Sequence, residues 1–97
     1  MAKIEYAQNA LSDINRLVDF LMKSDATTVL ETFDIIDEAI QVLRRHPDIG
    51  RSTSSAGKRE LVISRVKTGY VAIYKLDKLV DIVVILAIKH QREDVIK

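Results

Sequence analysis

Seven consecutive apolar residues, 82–88 (IVVILAI), constrain this chain more than any other segment. The run is far shorter than the roughly 20 residues a membrane helix needs. It is rich in Val and Ile, which suit a pleated strand. Apolar side chains occupy both alternating sets, so both faces of such a strand need cover. Left exposed, a window of this kind is an aggregation hazard. The expectation is a strand over residues 80–89, central in a sheet and buried beneath another layer.

The first half of the chain supplies that layer. Ala7, Ala10, Leu11, Ile14, Leu17, Val18 and Leu21 recur three or four apart, while Asp13, Asn15, Arg16 and Asp19 fill the other face. This is an amphipathic helix of about four turns, ending near Lys23. Ser24 and Asp25 are N-cap types. Val29, Leu30, Phe33, Ile36, Ala39, Ile40 and Leu43 then repeat the period, with Glu31, Asp34, Asp37 and Glu38 outside. Arg44 and Arg45 are placed in the last turn, where cations complement the helix dipole. Pro47 stops the helix. A link this short makes the two helices an antiparallel hairpin.

Strands flank this hairpin. Residues 2–6 alternate around Ile4 and Tyr6. Residues 61–66 and 70–76 are β-branched and apolar, with turns at 67–69 and 77–78. Short connections between consecutive strands demand antiparallel pairing. Residues 46–50 (HPDIG) read as a turn, and RSTSSAG after it as a flexible loop. The expected fold is α+β, in the order β-α-α-β-β-β. A helical hairpin packs on a mostly antiparallel sheet that ends in a three-strand meander.

With 97 residues the chain holds one core, and residues 1–97 form a single domain. It has no Cys, which excludes disulfides and thiolate metal sites, and two His do not suggest structural zinc. No metal and no cofactor is expected. The opening MAKIEY has no apolar stretch of the kind a signal peptide carries, so a soluble, cytoplasmic protein is expected. The formal net charge of +1 conceals an asymmetry. Up to Leu43, three basic residues face eight acidic ones, a net of −5; from Arg44 onward, twelve basic residues face six acidic ones, a net of +6. An acidic hairpin against a basic sheet keeps polyanionic partners open.

The ordered set of residues resembles the RelE/ParE superfamily of toxins from type II toxin–antitoxin systems. The resemblance spans nearly the whole chain. It rests on Ala10, Asp13 and Ile14 after the opening strand, then on Leu43, Pro47 and Gly50-Arg51. Arg59-Glu60-Leu61, Gly69-Tyr70 and Tyr74 follow, and residues 85–88 run into His90 and Arg92-Glu93. The RelE branch implies ribosome-dependent cleavage of messenger RNA by cationic and proton-donating side chains around a phosphodiester. In that branch a basic residue follows the Gly-Tyr pair, lysines lie on the preceding strand and a Tyr stands near the C-terminus. This sequence has Val71, then Val62 and Ser64, and finally Ile96 at those places. The apolar ones among them can neither donate a proton nor stabilise a phosphorane. The departures favour the ParE branch, which the resemblance describes as inhibitors of DNA gyrase held silent by a cognate antitoxin (ParD-like or related).

Several residues carry competing readings. Arg59, His90 and Arg92 are the catalytic candidates should the chain be a nuclease; His90 is otherwise an ordinary histidine where a strand leaves the core. Arg59, Arg65, Lys67, Lys89 and Arg92 would line one basic, target-facing edge, or simply keep a strand edge soluble. Tyr70 and Tyr74 share a strand face, for stacking on bases or for core packing. In the family the antitoxin's C-terminal segment wraps an apolar groove left between the small sheet and the two helices, as an amphipathic helix, with a strand added to the sheet edge as a further option. Leu17, Phe20, Leu21, Phe33 and Ile36 are the groove's candidates here, against a role as plain core. Phe20 and Met22 lie off the main stripe and suit a covered surface best.

Overall fold

The computed structural model describes residues 1–23, 25–55, 57–65 and 68–90, with only the backbone of Ser64, Arg65 and Thr68. Strand β1 (Lys3–Tyr6) leads into helices α1 (Gln8–Met22) and α2 (Ala26–Val42). Strands β2 (Arg51–Ser52), β3 (Lys58–Arg65), β4 (Thr68–Asp77) and β5 (Ile82–His90) follow. They form one sheet in the order β1-β5-β4-β3-β2. β1 runs parallel to β5, and the other pairs are antiparallel. The expected α+β hairpin-on-sheet architecture is therefore present. β2 is an addition: Arg51 and Ser52 pair with Glu60 and Arg59 where a flexible loop was expected.

The apolar run lies inside the sheet, between β1 and β4. Its helix-facing residues Val83, Ile85 and Ile88 are fully buried. They meet Ile63, Tyr70, Ala72 and Tyr74 from the neighbouring strands, with Ala10, Leu17, Ile36, Ile40 and Leu43 from above. The other face is not covered by a second layer. Ile82, Val84 and Leu86 are half-buried there, and Val62 is exposed. Cover on both faces is thus corrected. Cross-strand neighbours such as Ile73 beside Ala87 shelter the outer side chains laterally.

A register shift between Ile73 and Tyr74 leaves Leu86 without a direct partner on β4 and kinks β5. β1 ends just there, with the Ala7 N–H donating to the Ile85 carbonyl at 2.9 Å. Helix α1 takes over. The Asn9 side-chain amide donates to the Leu86 carbonyl at 3.1 Å, and Asp13 Oδ2 accepts the Ile88 N–H at 2.9 Å. Asp13 was expected on the outer face of the helix. It instead completes the hydrogen bonding of the strand edge that β1 leaves bare.

Boundaries differ where turn chemistry overrides hydrophobicity. β5 starts at Ile82, because Leu79 and Val80 are exposed in a turn. Asp77 Oδ1 accepts the Leu79 N–H at 3.1 Å, and Asp81 takes a positive φ of 56°. Thr68 and Gly69 belong to β4 rather than to a turn. The connection before them, residues 66 and 67, lies outside the described residues. Asp25 caps α2 by accepting the Thr28 N–H at 2.7 Å, which holds its carboxyl below the usual range. Arg44 and Arg45 fall beyond the last turn of α2, in a tighter turn closed by bonds to the Gln41 and Val42 carbonyls at 3.1 Å. Leu11 and Leu30, placed on the inner stripes by periodicity, are exposed. No helix among the described residues is long and apolar enough to cross a membrane.

Candidate functional site

A connected polar cluster joins the turn after α2 to the sheet. Tyr74, on β4, has no exposed surface. Its hydroxyl donates to the Pro47 carbonyl at 2.7 Å and accepts the Gly50 N–H at 2.9 Å. Arg59 on β3 donates from Nη1 to the Gly50 carbonyl at 2.7 Å and the Asp48 carbonyl at 3.2 Å. Its other nitrogen lies 3.7 Å from Asp48 Oδ1. Burial pushes the Tyr74 phenol up, opposed by the Gly50 N–H and the Arg59 charge. A Cβ on Gly50 would stand 2.5 Å from the Tyr74 hydroxyl and 2.9 Å from the Glu60 carbonyl, so only glycine fits. By sequence, HPDIG reads as a turn with no visible link to Tyr74 or Arg59. The partners lie 24 and 9 residues from Gly50, and no local pattern joins them.

Arg59 is therefore engaged in holding this loop rather than presented to a substrate. His90 is nearly buried at the other end of the sheet, edge-on to Tyr70 with ring centroids 5.0 Å apart. Arg59 pairs in register with Tyr74 and His90 with Tyr70. Those tyrosines are four residues apart on one strand, about 13 Å. The catalytic candidates Arg59 and His90 are not brought together. Arg92 lies outside the described residues, as does Ile96. Tyr70 and Tyr74 are core residues, not a stacking platform.

The proposed basic edge is divided as well. Arg59 shares the helix-facing side of the sheet with Tyr74, whereas Lys89 pairs with Val71 on the open side. Lys67 and the side chain of Arg65 lie outside the described residues, like Arg92. Val71, the residue after Gly69-Tyr70, is half-buried on the open face, and Val62 beside it is exposed.

On the helical side, Leu17, Leu21 and Ile36 are buried, and Phe33 is half-buried against the core. They are core residues in this conformation. Phe20 is 60% exposed and Met22 55%. Leu30, at 68%, joins them in the second turn of α2. All three lie in the helix turns nearest the tip of the hairpin. The turn at residues 46–50 lies at its opposite end, about 25 Å away along the 17 residues of α2.

A family model for the ParE toxin of type II toxin–antitoxin systems, parDE, matches residues 4–95. A solved chain of the chromosomal ParDE system of P. aeruginosa superposes with a TM-score of 0.74 at 18% identity, covering 92% of this chain and 95% of its own. A chain of the intact E. coli RelBE toxin–antitoxin complex superposes with a TM-score of 0.63 at 11% identity, covering 91% and 94% respectively. No curated protein matches the chain by sequence. At these identities the superpositions speak for the fold, which both systems share with the hairpin-on-sheet architecture described above. The family match covers nearly every residue, so the chain belongs to the ParE toxin family of type II toxin–antitoxin systems.

Proposed function

We propose that this toxin acts by binding, in the bacterial cytoplasm, as an inhibitor of DNA gyrase that a cognate antitoxin neutralises. The observation that carries this reading is the dispersal of the cationic candidates. Arg59 is spent on the loop, His90 sits about 13 Å away along β4 against Tyr70, and Val71 stands where the resemblance to the RelE branch would put a cation. General acid–base cleavage requires such groups within hydrogen-bond reach of one phosphodiester. An antitoxin segment with an amphipathic helix would cover Phe20, Met22 and Leu30, whose exposure near the hairpin tip is otherwise costly in a free toxin. The half-buried Phe33 would border that contact.

Induction in bacteria separates this reading from messenger RNA cleavage. Without antitoxin, growth arrest should come with a DNA-damage response and intact translated messages. Cuts at codon boundaries, mapped by primer extension, would overturn it. Co-expressed antitoxin should restore growth, and Phe20→Asp should weaken that rescue by leaving a charge at the covered surface.

A further inference from the structure

The anchored turn after α2 offers something the hairpin tip does not. The carbonyls of Pro47, Asp48 and Gly50 and the N–H of Gly50 all bond inward, to Tyr74 or Arg59. The Ile49 N–H is taken by the His46 carbonyl at 3.1 Å. Five of the turn's backbone groups thus bond within the molecule, and its exposed side chains face outward. Ile49 is 57% exposed at its apex, in a shallow depression shared with Arg45 and His46. A connection from a helix to a strand needs no anchor in an interior strand. A surface held in one conformation does gain from one, because binding then costs little ordering entropy.

The chemistry of the depression narrows the partner. Asp48 lies beside the Arg59 guanidinium, and Arg51 pairs with Glu60 at 2.7 Å. Arg45 makes no side-chain hydrogen bond or ion pair among the described residues. An unspent cation therefore stands next to an exposed aliphatic side chain. Phosphate backbones would use the cation and waste the isoleucine, whereas a protein segment with an apolar residue beside a carboxylate uses both. We propose that this anchored turn, centred on Ile49 and Arg45, is the surface with which the toxin grips its target, and that the target contributes such an acidic-apolar segment. The proposal rests on the binding-type reading of function. It places target contact about 25 Å from the hairpin tip, along α2.

The test compares wild type with Ile49→Asp, Arg45→Glu and, as a control, Leu79→Asp in the exposed β4–β5 turn. Thermal midpoints establish folding first. In a supercoiling assay with purified gyrase, Ile49→Asp and Arg45→Glu should each raise the half-inhibitory concentration about tenfold or more, as expected of anchor residues. Leu79→Asp should stay within about twofold, the small effect expected away from anchors. Inhibition by the two loop variants within that same range overturns the proposal. If wild type spares gyrase, the gyrase reading falls by itself, and growth arrest in bacteria decides the loop. Arrest relieved by Ile49→Asp and Arg45→Glu supports it, and arrest left intact, or absent in wild type, overturns it. Binding to labelled duplex DNA, followed by anisotropy, is the last arm. A loss of DNA binding in the loop variants with gyrase inhibition intact would make phosphate the ligand and overturn the protein-segment assignment.

Discussion

Replacing Tyr74 with Phe removes one oxygen and leaves the ring in place. Two hydrogen bonds go with it, from the hydroxyl to the Pro47 carbonyl and from the Gly50 N–H to the hydroxyl. Pro47 is half-exposed, so water can reach its carbonyl; Gly50 is buried, and its N–H is left without a partner. An unsatisfied buried donor costs about 1–3 kcal/mol, so the substitution should destabilise the fold by about 2 kcal/mol. For a domain of this size the unfolding entropy is about 0.2 kcal/mol/K, and the thermal midpoint should fall by about 10 °C. Circular dichroism at 222 nm reads this directly. A fall under about 2 °C would mean that the hydroxyl does not bear the turn, and the anchoring argument would be refuted. Gly50→Ala provides an internal check, because its Cβ would collide with the same hydroxyl at 2.5 Å. The double variant should depart from additivity by about 0.5 kcal/mol or more.

Two further outcomes follow from the same structure. Asp13→Ala should lower stability by about 1–2 kcal/mol in urea unfolding and selectively speed hydrogen exchange at the Ile88 amide, which Asp13 accepts. Asp13→Asn, which keeps an acceptor oxygen, should recover part of both, and unchanged exchange at Ile88 in the Ala variant would refute the role. Burial raises the phenols of Tyr6 and Tyr74 above the ordinary 10.0, with Asp37 adding to the effect at Tyr6 and the Gly50 N–H and Arg59 opposing it at Tyr74. A raised phenol favours the neutral folded form, so this stability is fully present below the unfolded value and lost as pH rises through the folded ones. Urea midpoints should therefore hold to about pH 9 and then fall, with a shallower fall in Tyr74→Phe. Identical alkaline profiles for the two proteins would contradict the burial argument.

Much of this architecture is legible in the residues. The switch from a 3.6-residue period to continuous apolar runs places two helices before the sheet. Asp25 marks the start of α2, and residues 82–88 announce an interior strand. What escaped is governed by pairings between distant residues or by turn geometry. Leu79 and Val80 look like strand, but Asp77 and Asp81 bend the backbone there and expose them. Asp13 looks like a surface residue because its partner, the Ile88 amide, is 75 positions away. The candidate site shows the same limit. Phe20 and Met22, off the helical stripe, are exposed as periodicity suggests, whereas Leu17, Leu21 and Ile36 are core. Arg59 reads as a free cation until the fold places it beneath the turn at residues 46–50. A basic residue type shows charge, and only tertiary contact shows whether that charge is already spent.

A ParE-family chain that works through its surfaces on gyrase, as proposed, must stop supercoiling. A supercoiling assay with purified gyrase and relaxed plasmid tests it most directly. At toxin excess the account expects supercoiling to fail, and to return when the antitoxin is added at equimolar ratio. Supercoiling that proceeds unimpaired at toxin excess, from a chain that still arrests growth, would contradict it.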